Sequence, residues 1–172
     1  MAEIERKYPK EELSEIAYPS ASIAYLLVSQ EGKTTAALGR WGFQASGNRP
    51  VYNARQETVL TKGMFQGCFA GGRCIVPSHG FYEWDEEHRK YIFLPKGKGL
   101  FYFAALYRPR GNGAEITILT THSRGSMERV HHRMPLILEE SQLRAWLYDR
   151  QAAEVLLSQG CFLLEEALVQ EE

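Results

Sequence analysis

The first candidate for chemistry is a carboxyl group in residues 73–84, which read RCIVPSHGFYEW. The segment begins as a strand, breaks at residues 77–80, and resumes with an alternation that places Phe81 and Glu83 on one face. A carboxylate among aromatic neighbours is unfavourable unless another group satisfies it, and such surroundings favour the neutral acid. Glu83 is therefore a candidate proton-transfer group. The alternative is an exposed strand glutamate between two core aromatic residues.

Two further polar side chains, Asn53 and Arg55, share one face of residues 53–58 (NARQET) if that segment is extended. The amide of Asn53 can donate and accept hydrogen bonds at once. The guanidinium of Arg55 is a planar fork suited to phosphate. These residues are candidates for binding a phosphate-bearing ligand, and the alternative is a turn asparagine beside a solvated arginine.

A third polar group lies in residues 130–135, which read VHHRMP. A short helix is predicted to end near Val130, and a histidine just beyond a helix C-terminus gains stability when charged. His131 and His132 could suggest a metal site. Adjacent side chains diverge, however, and no third ligand is evident, so we expect no metal and no cofactor.

The elements that must position these groups are mostly short strands separated by turns. Predicted strands cover residues 22–28, 34–38, 73–76, 81–84, 91–94, 100–107, 115–121 and 136–138. Predicted helices cover residues 3–16, 57–65, a short segment that ends near residue 130, a segment after 139–141, and 151–158. The acidic tail over 165–172 is predicted to fray at its end. This pattern predicts an α+β domain, mainly an antiparallel, curled or barrel-like sheet with a few short peripheral helices.

Length and composition favour one domain over residues 1–172, with 44% apolar residues to form a core. The formal net charge of −1 argues against a broadly basic surface but allows a local basic cleft. The three cysteines, Cys68, Cys74 and Cys161, form no C-x-x-C pair, so neither a disulfide framework nor a zinc site is expected. A charged N-terminus without a long apolar run predicts a cytoplasmic protein without membrane attachment.

The three motifs NARQET, GFYEW and HHRMP, in this order and rough spacing, resemble the SRAP family (SOS response-associated peptidase). The resemblance extends from about Tyr18 to about Trp146. It implies a compact barrel-like sheet with a concave DNA-binding face. It also implies shielding of abasic sites in single-stranded or junction DNA, through a covalent thiazolidine bond from the cysteine that follows the initiator methionine.

The resemblance also implies a role for each matched residue. Glu83 would shuttle protons during sugar-ring opening and Schiff-base formation, His131 would transfer protons or orient groups near the sugar hydroxyls, and Asn53 would position the N-terminus and the lesion. Residues implied to contact DNA are Trp41, Gly42, Arg55, Thr120, Thr121 and Arg133. Trp41 would offer a base-stacking surface.

The sequence departs from the family pattern at its start, which reads Met1-Ala2-Glu3 instead of Met-Cys. The internal cysteines cannot replace the missing residue, because none of them carries a free α-amine. We therefore expect a shortened N-terminal segment, or a relative that is deficient in crosslinking. The expected partner is single-stranded or junction DNA with an abasic site, and the protein is expected to be a monomer.

Two other functions remain open. In the first, the protein is a non-catalytic module for single-stranded DNA ends, in which Trp41, Arg55 and Arg133 matter and Glu83 is dispensable. In the second, it is a hydrolase or peptidase that uses Glu83 and His131 on another substrate. No Ser-His-Asp or zinc pattern supports the second alternative.

Overall fold

The structure is a computed structural model that describes residues 16–47, 49–95, 99–159 and 168–171. The helix predicted over residues 3–16 lies outside these ranges except for its last residue. Within the described ranges, no helix has both the length and the apolar character needed to cross a membrane.

Strands form most of the regular structure, as the alternating and β-branched segments predict. They are β1 Ser22–Val28, β2 Thr34–Trp41, β3 Asn53–Arg55, β4 Arg73–Ser78, β5 Phe81–Trp84, β6 Lys90–Leu94, β7 Phe101–Arg110, β8 Gly113–His122, β9 Arg133–Pro135, β10 Ile137–Leu138 and β11 Leu168–Glu171. The helices are α1 Gly63–Gly71, α2 Leu143–Tyr148 and α3 Arg150–Gln159, with 3₁₀ turns at Gly125–Arg129 and Glu140–Gln142.

Five strands close into a barrel-like sheet in the order β7, β4, β1, β2 and β8, because β8 also pairs with β7. The β2–β8 and β3–β8 pairings are parallel, whereas the other pairings of the sheet are antiparallel. Strands β5, β6 and β11 form a second, three-stranded sheet. Closure leaves few free sheet edges, which limits pairing with other chains. The predicted α+β fold with a barrel-like sheet is confirmed.

Strand β8 gathers segments that are far apart in sequence. Its register pairs three predicted site residues with every second residue of β8: Trp41 with Ile116, Asn53 with Ile118 and Arg55 with Thr120. On its other side the C-terminal half of β8 pairs with β9, which places His122 opposite Arg133. The polar motifs at residues 53–58 and 131–135 therefore lie on opposite flanks of one strand.

The core fills the space inside the barrel and beneath the helices. Trp146 of α2 is fully buried, and its indole N–H donates to the carbonyl oxygen of Cys74 at 2.9 Å. The buried Arg73 guanidinium donates to the carbonyl oxygens of Trp146 at 2.7 Å and Phe69 at 2.7 Å. These bonds satisfy a charge that would otherwise be costly to bury, and they attach α1 and α2 to the barrel.

Two local predictions are wrong. The helix predicted from residue 57 begins only at Gly63, because residues 56–62 form turns in which Thr58 N donates to the Arg55 carbonyl at 3.1 Å. The tail predicted to fray pairs as β11 with β6 over residues 168–171.

Candidate active site and nucleic-acid interface

Glu83 of β5 lies beside His131, with 3.9 Å between Glu83 Oε1 and His131 Nδ1. Both side chains are partly buried, with 28% of Glu83 and 35% of His131 exposed. Burial raises the pKa of Glu83, while the charge of protonated His131 and a hydrogen bond from the Trp84 backbone oppose that rise. The site therefore pairs an acid that resists ionisation, Glu83, with a base, His131. At 3.9 Å the two are close enough for one bridging group to pass a proton between them.

The face of β5 that carries Glu83 also carries an aromatic residue. Phe81, two residues earlier on the same face of β5, stacks on Phe93 with ring centroids 5.1 Å apart and contacts Phe103 at 5.8 Å. Trp84, in contrast, exposes 44% of its surface. The alternative of an exposed glutamate between two core aromatic residues is therefore wrong. The Glu83 side chain is partly buried, whereas the neighbouring Trp84 faces solvent.

His131 is held by the backbone of Arg133. The Arg133 N–H donates to His131 Nδ1 at 3.2 Å, and the Arg133 carbonyl oxygen lies 3.0 Å from the same nitrogen. A neutral ring with its proton on Nε2 accepts the N–H, whereas a protonated ring can donate to the carbonyl. The ring therefore keeps a hydrogen-bond partner in both charge states.

The two adjacent histidines lie side by side, with ring centroids 4.4 Å apart. The expectation that their side chains diverge is wrong, because the two rings lie within contact distance of each other. Among the residues that the structure describes, no three His, Cys, Asp or Glu side chains are grouped as metal ligands would be.

Arg133 forms a bidentate ion pair with Glu57. Arg133 Nη1 and Nη2 donate to the two Glu57 carboxylate oxygens at 2.8 and 3.0 Å, and Nη2 also donates to the Thr120 carbonyl oxygen at 2.7 Å. Only 12% of the Arg133 side chain is exposed. The hydrogen bond from Arg133 lowers the pKa of Glu57, so this carboxyl is a fixed anion.

Glu57 is a site residue that the sequence analysis missed. The available signal was its spacing, because Glu57 follows Asn53 and Arg55 at intervals of two residues and would share their face of an extended segment. The helix predicted to start at residue 57 removed Glu57 from that alternation. His122 also lies close, with 3.4 Å between its Nε2 and Glu57 Oε1.

Asn53 and Arg55 project from β3 into solvent, whereas Ala54 between them is buried. Within the described part of the chain, neither of these two side chains forms a hydrogen bond or an ion pair. The arrangement predicted from the alternation is thus present, with an amide and a guanidinium exposed beside β8. Their contacts with DNA stay a prediction.

Trp41 is fixed rather than free to swing. Its indole N–H donates to the Tyr52 carbonyl oxygen at 2.9 Å, and the two rings meet edge to face at 6.2 Å. Gly42 has φ of 123°, and a Cβ there would lie 2.9 Å from the Tyr52 ring. Glycine is therefore required after Trp41, and the indole is held in one orientation.

Thr120 and Thr121 end β8 as predicted, but both are buried, with 9% and 2% of their surfaces exposed. The Thr120 carbonyl oxygen accepts from Arg133 Nη2 and from the Gln56 backbone N–H. These threonines support the neighbouring segments in this structure. Contacts from them, and from Arg133, to DNA stay predictions.

The geometry defines a class: a closed small barrel that exposes an amide and a guanidinium, and that holds a partly buried carboxyl beside a backbone-anchored imidazole. Such a protein can bind a polar ligand and move protons on it. The chain belongs to the family described as SOS response associated peptidase (SRAP), whose sequence profile matches residues 4–167. The resemblance drawn from the three motifs is confirmed.

Named relatives agree with this family. The chain is 30% identical over 170 residues to the abasic site processing protein YoaM of Bacillus subtilis, covering 88% of this chain and 74% of the relative. It is 31% identical over 134 residues to the abasic site processing protein YedK of Escherichia coli, covering 70% and 60%. The abasic site processing protein YoqW of Bacillus subtilis is 39% identical over 107 residues, covering 56% of this chain. This chain therefore spans only about half, 47%, of the length of YoqW.

Solved structures share the fold. A crystal structure of a Bordetella bronchiseptica protein superposes with a TM-score of 0.77 at 20% identity, covering 91% of this chain and 86% of that chain. A Bacteroides thetaiotaomicron protein superposes with a TM-score of 0.74 at 22% identity, covering 88% and 74%.

Proposed function

We propose that this protein binds single-stranded DNA at abasic sites and that Glu83 and His131 move protons on the exposed sugar. Support comes from the family and from relatives named abasic site processing proteins. The observation that carries the proposal is the partly buried Glu83 carboxyl, whose pKa is raised by burial, 3.9 Å from His131. Groups that catalyse proton transfer near neutral pH require this kind of adjustment.

The chemistry begins with the sugar of an abasic site, which exchanges between a closed hemiacetal and an open aldehyde. Opening removes a proton from the C1 hydroxyl and adds one to the ring oxygen, so one carboxyl can do both in turn. A primary amine then adds to the aldehyde carbon, and the carbinolamine loses its hydroxyl as water to give a Schiff base. Glu83 in its neutral form donates the proton that this hydroxyl requires.

DNA binding in this proposal relies on the exposed polar residues of β3 and on Trp41. The exposed Arg55 guanidinium can donate hydrogen bonds to a phosphate, and the Asn53 amide lies two residues away on the same face. The fixed Trp41 ring offers a face for an unpaired base. A DNA contact that relies on one local cation, Arg55, is compatible with the net charge of −1 of the whole chain.

The test uses a single-stranded oligonucleotide with one abasic site and a matched intact oligonucleotide. Protein and DNA are mixed and run on a denaturing gel with and without borohydride, which reduces a Schiff base to a stable amine. The same experiment is repeated with Ala2→Cys after removal of Met1, since the cysteine α-amine that this removal frees can form the Schiff base and its thiol can then close it into a thiazolidine without reduction. We expect a band trapped by borohydride for the unmodified chain, and a band without borohydride for Ala2→Cys.

Glu83→Gln separates catalysis from binding alone. We expect the trapping rate to fall by about 10²-fold or more, with binding to the intact oligonucleotide unchanged. Glu86→Gln, in the exposed hairpin turn after β5, is the matched control and should behave like the unmodified protein. An unchanged trapping rate in Glu83→Gln would favour the non-catalytic module. The absence of both trapping and any preference for abasic DNA would overturn the proposal.

A further inference from the structure

We propose that Arg108 and Glu115 form a clamp on the chain that follows Trp41, and that both are positioning residues for the Trp41 ring. The contact of that ring with a DNA base rests on the function proposed above. The placement of the ring rests on contacts within the protein, and the two can be tested separately.

The carboxylate of Glu115 in β8 lies beneath two arginine side chains of β7. Its Oε2 atom accepts from Arg108 Nε at 2.9 Å and lies 2.7 Å from Arg108 Nη2, while Oε1 lies 3.1 Å from Arg110 Nε. Only 9% of the Glu115 side chain is exposed, compared with 57% of Arg110. A carboxylate buried to this extent requires such partners.

The clamp holds both backbone polar groups of Gln44. The Gln44 N–H donates to Glu115 Oε2 at 3.1 Å, and the Gln44 carbonyl oxygen accepts from Arg108 Nη2. The guanidinium also lies over the Phe43 ring, 4.4 Å from its centroid. A planar guanidinium can bind a carboxylate and a carbonyl at fixed angles, which a lysine ammonium does not reproduce. The chain is therefore fixed three residues after Trp41, the last residue of β2.

Backbone hydrogen bonds carry this restraint to the atom that orients the indole. Phe43 and Val51 exchange two hydrogen bonds, at 3.0 and 2.8 Å. The next residue, Tyr52, accepts the Trp41 indole N–H at 2.9 Å and the Thr117 hydroxyl at 3.1 Å on its carbonyl oxygen. A shift at the clamp therefore moves Phe43 with Val51, and it displaces the acceptor that holds the Trp41 ring.

A charged pair at this place is better explained by positioning than by stability. Replacing a buried ion pair with well-packed apolar side chains is often neutral or stabilising. Apolar side chains, however, could not bind the N–H and the carbonyl oxygen of Gln44, and these bonds define a direction as well as an attraction. The Arg108–Glu115 pair thus provides what an apolar contact at this site would lack.

A competing role for Glu115 predicts a different effect on DNA binding. If Glu115 only neutralised Arg108 and Arg110, its removal would release positive charge and strengthen binding at every base composition. The salt dependence would then become steeper by about 0.7 in log–log slope for each new phosphate contact on a single strand. If Glu115 belongs to a clamp, its neutralisation leaves the salt slope unchanged and weakens base stacking.

The first measurement is made without DNA and uses hydrogen exchange of the indole N–H groups, followed by NMR. Trp41 and Trp146 both donate to backbone carbonyl oxygens at 2.9 Å, so both are expected to exchange slowly. In Glu115→Gln we expect exchange at Trp41 to accelerate by roughly fivefold or more, with Trp146 unchanged. Unchanged exchange at Trp41, or equal acceleration at both indoles, would overturn the inference.

Two arginine variants separate geometry from charge. Arg108→Lys keeps the positive charge but not the planar fork, and we expect it to accelerate exchange at Trp41 as Glu115→Gln does. Arg110→Gln removes the exposed partner of Glu115, whose side chain lies on the other carboxylate oxygen, and it should behave like the unmodified protein. Normal exchange at Trp41 in Arg108→Lys would show that charge alone is sufficient, which contradicts the clamp.

The second measurement uses single-stranded oligonucleotides that carry one abasic site. In a matched set, the base on one side of that site or on the other is replaced by a stable abasic analogue, and the ratio of dissociation constants measures the contribution of that base. The base that stacks on Trp41 is the one whose ratio falls to one in Trp41→Leu. Stacking on an aromatic ring contributes roughly fivefold to a hundredfold in affinity, and we expect Glu115→Gln and Arg108→Lys to reduce this ratio to about twofold or less.

Arg110→Gln is again the control and should keep the ratio of the unmodified protein. An unchanged ratio in Glu115→Gln and Arg108→Lys would overturn the inference, and so would tighter binding with a steeper salt slope in Glu115→Gln. If the unmodified protein does not bind these oligonucleotides, the proposed function fails, and the exchange experiment still decides whether the clamp places Trp41.

Discussion

Glu83 and Glu57 belong to the same site but are held in opposite ways. Glu57 receives two hydrogen bonds from Arg133, at 2.8 and 3.0 Å, and these lower its pKa. Glu83 is more buried and lies 3.9 Å from its basic neighbour His131, so burial dominates and raises its pKa. Both basic partners come from one short segment, two residues apart.

The difference shows that the partner's geometry, rather than the type of acid, decides what a carboxyl can do. A planar guanidinium that binds both oxygens keeps the anion in place and removes it from proton exchange. An imidazole at a longer distance leaves the acid able to gain and lose a proton. Carboxyl groups whose environments separate their pKa values in this way commonly have separate roles in one site.

The largest expected effect comes from breaking the Glu83 pair. His131→Gln removes the positive charge that opposes the rise in the Glu83 pKa, so this pKa should rise further. We expect the rate of borohydride trapping on abasic DNA to fall by about 10²-fold and the pH–rate profile to shift to higher pH. His88→Asn, in the exposed turn after β5, is the control. Equal rates in His131→Gln and the control would show that the pair is not used.

The next effect comes from breaking the Glu57 pair. Arg133→Met leaves the Glu57 carboxylate without its main partner, and we expect unfolding free energy to fall by about 1–2 kcal/mol, reduced by the partial exposure of Glu57. Urea unfolding measures this change. The double variant Glu57→Gln/Arg133→Met should lose less than the sum of the single variants. Additive losses would mean that the two side chains do not stabilise one another.

The third test compares the two acids as pH changes. The lowered pKa of Glu57 contributes stability above its unfolded value of about 4.3, and this is lost as the pH falls through the folded value. The raised pKa of Glu83 makes stability depend on pH in the opposite direction. Its contribution is present below about pH 4.3 and is lost as the pH rises through the pKa of Glu83 in the folded state.

Thermal unfolding from pH 3 to pH 8 measures both slopes. The advantage of the unmodified protein over Glu57→Gln should grow with rising pH, whereas its advantage over Glu83→Gln should shrink. Two slopes of the same sign would contradict the comparison.

The smallest expected effect is that of His122. Its side chain is 76% exposed and lies 3.4 Å from Glu57, so solvent screens the pair. We expect His122→Asn to change the unfolding free energy by only a few tenths of a kcal/mol, and to leave DNA trapping unchanged. A loss as large as that of Arg133→Met would show that His122, not Arg133, is the principal partner of Glu57.

The strands were largely predictable because each carries its own local signal. The continuous apolar segment of β1 and the alternation of β5 identify these strands without reference to partners. The start of α1 was not predictable in this way. Glu57 and Thr58 have the composition of a first helical turn, but the hydrogen bond to Arg55 and the Arg133 ion pair favour turns there instead.

The residue types of the site could be predicted, but their partners could not. Glu83 lies on β5 and His131 precedes β9, and the two side chains, far apart in sequence, meet only in the folded chain. The pairing of Arg133 with Glu57 depends on the pairing of both β3 and β9 with β8. The sequence indicates an arginine suited to phosphate, and only the three-dimensional arrangement reveals a carboxylate already bound to it.

Strand β8 also has a consequence for how the protein folds. Its parallel neighbours β2 and β3 precede it by more than 50 residues, and neither can pair with it through a short hairpin. Such non-local pairings are slow to form, because the chain must lose loop entropy before the contacts stabilise it. Trp41, Asn53 and Arg55 lie on these pairings, so we expect their placement beside β8 to be a late step in folding. We therefore expect that recovery of the proposed DNA binding during refolding would report formation of these non-local pairings, and not merely local order in β3.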